Sequence, residues 1–299
     1  MLATVAALVA PSTALAHGGE VPRSELAGAW RASWVVLALA ALGAILFAHA
    51  VVRLRRRGRR DDAGWDRVVL FSAGLGLLVL ALVSPLDAIG EDYLLSGHML
   101  QHILIGDAAP ALLVVAVRGP LVFFLLPAFL LRRLARVGPL RDALGFLLRP
   151  SVSMAVWVVV YAAWHVPAAY DYVLTRPLVH DLEHATFVLA GVLVWAQIVD
   201  PARRGALSRY RRLAFAVALF AGGQVLADVL IFSFNPFYAA YADQPERLFG
   251  LSPRLDQQLA GVVMMVEQIL TVGTASVFLL RPAFQRRRSV ERRLTAPSV

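Results

Sequence analysis

Long apolar runs broken by short polar or arginine-rich stretches set the pattern of this chain. A bilayer crossing needs about 20 apolar residues, and Trp30 to Val52 is the first run to supply them. The arginine-rich RLRRRGRRDDAGWDR follows, and apolar residues resume from Val68 to Val83, ending at Ser84-Pro85. Beyond an acidic stretch with Asp87, Glu91 and Asp92, a third run covers Leu94 to Val117. Met154 to Trp164 forms the centre of the next, and His180 to Val199, Leu213 to Phe232 and Leu259 to Leu280 complete the set. Pro120 to Leu131 is too short to cross and predicts a re-entrant or interfacial segment around residues 119–149, ending in a basic amphipathic helix. The whole predicts an all-α, polytopic membrane bundle of seven transmembrane helices.

Charge sets the expected orientation. Every basic residue is Arg, and only Arg23, Arg31, Arg176, Arg247 and Arg254 lie outside four arginine-rich segments that alternate with the runs. Arginine beside apolar spans marks the cytoplasmic side, so the bundle is expected N-out and C-in, its net charge of +9 facing lipid headgroups rather than nucleic acid. Residues 1–16 end in Ala-Leu-Ala and read as a cleaved signal peptide. Residues 17–29 then form a short periplasmic segment, 30–282 the membrane domain and 283–299 a basic cytoplasmic tail. A composition of 59% hydrophobic residues excludes an ordinary soluble domain, and the lack of cysteine excludes disulfides and thiolate ligands.

Histidine carries the candidate chemistry. His98 and His102, and again His180 and His184, stand four apart, which puts each pair on one helical face. With His165 they converge on the predicted outer end of the bundle, in an outward-facing vestibule. Each pair alone is better explained by hydrogen bonds to a neighbouring helix; two pairs and a fifth ring at one end point instead to a metal site. Met99, Asp181, Glu183, Asp228, Met264, Glu267 and His17 form a second tier: thioethers that suit Cu(I), carboxylates that orient imidazoles, and a terminal imidazole. Asp87, Glu91 and Asp92 have two readings, acceptors that orient imidazoles or a solvated loop, and the solvated loop is the favoured one. Asp107, nine residues after His98, faces away from the pair on a regular helix. His49 reads as structural, and Trp157, Tyr161 and Trp164 as a packing stripe.

Three motifs, GHMLQHILIGDAAP, WHVPAAYDYVLTRPLVHDLEH and DQQLAGVVMMVE, taken in this order, resemble the seven-span CtaG family of cytochrome c oxidase assembly factors over roughly residues 30 to 282. The resemblance implies a bacterial plasma-membrane protein that helps copper reach the binuclear centre of a haem-copper oxidase, with an oxidase subunit as partner and a periplasmic copper donor upstream. Matching positions are His98, Met99, Gln101 and His102; Trp164, His165, Pro167, Tyr170, His180, Asp181 and His184; and Asp256, Gln257, Gln258 and Gly261. The expected ligands are then His98, His102, His165, His180 and His184, holding copper as Cu(I) rather than Cu(II) in a protein that is not an enzyme. A membrane-embedded zinc hydrolase with Glu183 or Glu267 as base, and a metal-free scaffold, are the alternatives. Bis-histidine haem is disfavoured because rings four apart converge on one ion and cannot grip opposite faces of a macrocycle.

Overall fold

The computed structural model describes residues 21–281. The expected signal peptide at 1–16, His17 and the basic tail at 283–299 lie outside them. The helices are α1 (Trp34–Arg56), α2 (Trp65–Val83), α3 (Pro85–Asp92), α4 (Leu95–Ala116), α5 (Ala128–Arg136), α6 (Gly138–Leu147), α7 (Pro150–Trp164), α8 (Pro167–Leu174), α9 (Pro177–Val199), α10 (Arg209–Phe232), α11 (Ala239–Ala242) and α12 (Pro253–Arg281). No strand occurs among the described residues. The backbone must satisfy its own hydrogen bonds in lipid, and helices do so within one segment.

Six helices, α1, α2 with the turn before it, α4, α9, α10 and α12, are long and apolar enough to cross a membrane. α6 and α7, bent by 74° between Leu147 and Pro150, together have the length and apolarity of a seventh, either as one broken span or as a re-entrant turn. The spans run past the apolar windows because polar residues continue the same helices. α10 begins at Arg209 and α12 at Pro253, after Ser208 and Ser252, whose hydroxyls accept from the first-turn N–H groups of Arg211 and Leu255. α5 and α6 bury none of their side chains, as the amphipathic reading of that segment requires.

Packing in lipid relies on close approach rather than on a hydrophobic drive between helices. Pro110 cannot donate to the Gly106 carbonyl, and α4 widens into a π turn over Leu104–Ala108. The freed carbonyl is turned to α9, where a Cβ on Gly191 would lie 2.1 Å from it. Only glycine fits there. At the end of the bundle away from the arginine-rich segments, α3 also lies closely on α4: a Cβ on Gly90 would be 2.9 Å from the His98 backbone. Asp256 of α12 caps α4 in place of a local residue, taking the Leu95 and Ser96 N–H groups at 2.8 and 3.0 Å. This fixes the height of the helix that carries His98 and His102.

Candidate metal centre

The two histidine pairs meet. α4 and α9 present their His faces to each other, and one ligand atom from each of His98, His102, His180, Glu183 and His184 lies within 4.8 Å of all the others. All five residues are buried. His98 and His102 approach Nε2 to Nε2 at 2.8 Å, and a Glu183 carboxylate oxygen is 3.8 Å from His102 Nε2. Ring centroids of His98 and His180 stand 5.4 Å apart, and those of His102 and His184 likewise 5.4 Å.

Hydrogen bonds behind the rings select their tautomers. Tyr241 donates its only hydroxyl proton to the Gly90 carbonyl at 2.7 Å, so its oxygen must accept from His98 Nδ1 at 2.8 Å. His98 therefore carries its proton on Nδ1 and offers a bare Nε2 to the cluster. Glu91 does the same for His180, accepting from Nδ1 at 2.9 Å, and His180 Nε2 has no partner among the described residues. His184 Nε2 and both Glu183 carboxylate oxygens are also buried without a partner there. Orphaned buried acceptors are costly unless a proton or cation sits among them. The donor set, several imidazoles and one carboxylate, fits a divalent or monovalent transition-metal ion.

His165 stands to one side, its ring 6.4 Å from that of His102. Its Nδ1 is 2.7 Å from the Tyr161 carbonyl, which can only accept, so the proton is on Nδ1. Its Nε2 then faces Met99 Sδ at 3.3 Å with no proton between them. The structure thus pairs His165 with Met99 beside the cluster rather than within it.

The acidic segment is not a solvated loop. It folds as α3 across the cluster, where Arg31 pairs with Asp87, Glu91 and Asp92. These contacts span long sequence separations, which local polarity does not reveal. Burial and then the Glu91 charge push Asp87 up to about 6, although Gln101 and Arg31 oppose it. Burial also pushes Glu91 upward, but His180, by hydrogen bond and charge, and Arg31 outweigh it and hold that carboxyl down at about 2. Arg31 is raised above its ordinary value despite burial by Glu91, Asp87 and Asp92. The expected vestibule is correspondingly closed. α3 covers the rings, and Tyr170, its ring 5.2 Å from that of His98, and Tyr241 wall them in.

Other second-tier residues separate. Asp181 and Asp228 are exposed, because each lies on the face of its helix opposite the buried one. Met264 packs with Met99 and Tyr170 in an apolar cluster. Glu267 is directed to Asp107 and not to the histidines. Asp107 accepts from Trp195 Nε1 and, at 3.2 Å, from Thr271, contacts that the π turn makes reachable. Trp157 and Tyr161 stack at 4.6 Å, as a packing stripe does. Glu183, Arg31 and Tyr241 are the residues to which sequence gave too little weight. Only Glu183, on the face shared by His180 and Phe187, had a local signal.

The family model described as cytochrome c oxidase caa3 assembly factor (Caa3_CtaG) matches residues 45–286, a stretch that includes every residue of the cluster. No curated protein and no solved structure matches the chain.

Proposed function

Since the chain belongs to the cytochrome c oxidase caa3 assembly factor family, we propose that the histidine cluster holds copper as cargo and passes it to an oxidase subunit during assembly. The observation that carries this reading is the set of preset tautomers: Tyr241 and Glu91 occupy the Nδ1 protons of His98 and His180 and turn both Nε2 lone pairs into the cluster, that of His98 onto His102 Nε2 at 2.8 Å and that of His180 to no partner among the described residues. Carboxylates and hydroxyls behind metal-binding imidazoles perform this orienting role. Met99 beside His165 favours Cu(I), for which a thioether is a suitable soft ligand. The arginine-rich ends of the helices lie away from the cluster, which supports a metal site on the extracytoplasmic side of a bacterial plasma membrane. A periplasmic donor would then load it, and anionic lipid would meet the arginine face.

The test is the copper content of the oxidase in cells whose only copy of this protein carries His98→Ala with His102→Ala. The reading expects oxidase that lacks copper although the variant is present in the membrane. Full copper content would instead favour a metal-free scaffold. Glu183 supports a second reading, a zinc hydrolase with this carboxylate as base. Zinc in the purified protein together with solvent-dependent turnover that Glu183→Gln abolishes would establish it.

A further inference from the structure

About one turn from His102 toward the arginine end, Asp107 of α4 and Glu267 of α12 face each other within hydrogen-bonding reach. Their surroundings are unequal. Asp107 receives Trp195 Nε1 on one oxygen and has the Thr271 hydroxyl 3.2 Å from the other, a hydroxyl it shares with the Glu267 backbone carbonyl at 3.1 Å, whereas neither Glu267 carboxyl oxygen has a hydrogen-bond donor among the described residues. Glu267 is 8% exposed. The groups packed round the pair come from α7, α9, α10 and α12: Tyr161, Trp195, Leu219 and Gln268. None of them is cationic. Two carboxylates at this distance cannot both be charged in a medium of low dielectric without a counter-ion, and one of them must keep a proton. Asp107, which holds the Trp195 N–H and shares the Thr271 hydroxyl, is the better anion; Glu267, whose carboxyl oxygens have no such donor, is the acid.

Two further features mark the place. Both helices depart from α geometry here, α4 over Leu104–Ala108 and α12 over Ile269–Gly273, and π turns are concentrated at functional sites. A small cavity of about 10 Å³ is lined by both His102 and Asp107, with Gly106, Tyr161 and Gln268 among its other walls. We propose that Asp107 and Glu267 form a proton-binding site within the membrane beside the histidine cluster, one proton held on the Glu267 carboxyl and directed to the Asp107 carboxylate. When a cation enters the cluster, departure of this proton leaves the buried charge unchanged. That last step rests on the metal reading above; the proton site does not.

Infrared spectroscopy of the full-length, metal-free protein at neutral pH tests the site. The expected result is a carbonyl band of a protonated carboxyl that shifts in deuterium oxide, shifts on incorporation of isotope-labelled glutamate but not labelled aspartate, and is lost in Glu267→Gln. Glu183 is the other buried glutamate among the described residues, and the difference between wild type and Glu267→Gln separates the two. Should Glu267→Gln fail to fold, the labelled wild-type protein and Asp107→Asn, in which the band must move, serve instead. Identical carbonyl regions in wild type and Glu267→Gln, or a band that follows aspartate labelling, would overturn the proposal. Loading with Cu(I) alone then removes the Glu267 band if the charges are coupled. A band unchanged in copper-loaded protein overturns the coupling and leaves the proton site standing.

Discussion

His98 and Tyr241 share a hydrogen bond whose direction is determined by a third group: the tyrosine proton goes to the Gly90 carbonyl, so the imidazole must donate. Burial holds the Tyr241 hydroxyl well above its ordinary pKa and keeps it a neutral donor. Tyr241→Phe removes both bonds while retaining the ring. The expected outcome is a loss of about 1–3 kcal/mol in stability from the orphaned carbonyl and Nδ1, and a fall of about 10- to 100-fold in Cu(I) affinity as the tautomer is freed. Thermal unfolding and competition with a Cu(I) chelator measure the two effects.

The carboxylates of α3 make stability depend on pH in two directions. Asp87 has a raised pKa, so the folded protein keeps a proton that the unfolded chain releases; its contribution is full below about 3.8 and is lost as pH rises to about 6. Glu91 has a depressed pKa; its contribution is present above about 4.5 and is lost as pH falls toward 2. Asp87→Asn, which retains the oxygen that accepts from Gln101, should abolish the decline between pH 4 and 6 and leave the protein at pH 7 at least as stable as wild type, the difference reaching about 2 kcal/mol. Unfolding midpoints across that pH range check it.

Met99→Leu keeps nearly the same volume in a fully buried position and should leave the unfolding temperature within a few degrees of wild type. It should lower affinity for Cu(I) about tenfold, with little effect on zinc, because the thioether prefers the softer ion. Parallel chelator competitions with the two metals provide the comparison.

Glycine at the helix contacts is replaceable only where space exists. Gly191→Ala would drive a methyl group into the Gly106 carbonyl and Pro110; a loss of about 3 kcal/mol or failure to accumulate is expected. Gly76→Ala, in α2 with nothing near the added carbon, should be neutral or stabilising by about 0.5–1 kcal/mol. Expression level and thermal unfolding of the two variants distinguish them.

Periodicity and hydropathy made the long apolar helices and the convergence of His98, His102, His180 and His184 legible, because each depends on residues close in sequence. The same logic placed His165 at the cluster but not its pairing with Met99, which requires the relative height of α4 and the end of α7. Arg31 with Glu91, Asp256 with the start of α4, and Tyr241 with His98 were not legible. Each joins segments separated by dozens of residues or more, and no pattern within either segment signals the other. Asp107 was read on a regular helix. Pro110 was the local clue that its helix would widen.

X-ray absorption by the purified, full-length protein loaded with Cu(I) measures the site most directly. One bound copper per chain with imidazole scattering is expected, the imidazole count falling in His98→Ala and again in His98→Ala with His180→Ala, while His49→Ala leaves the spectrum unchanged. Copper bound without imidazole, or a spectrum and stoichiometry indifferent to His98 and His180, would contradict the assignment of this cluster as the place where the metal is held.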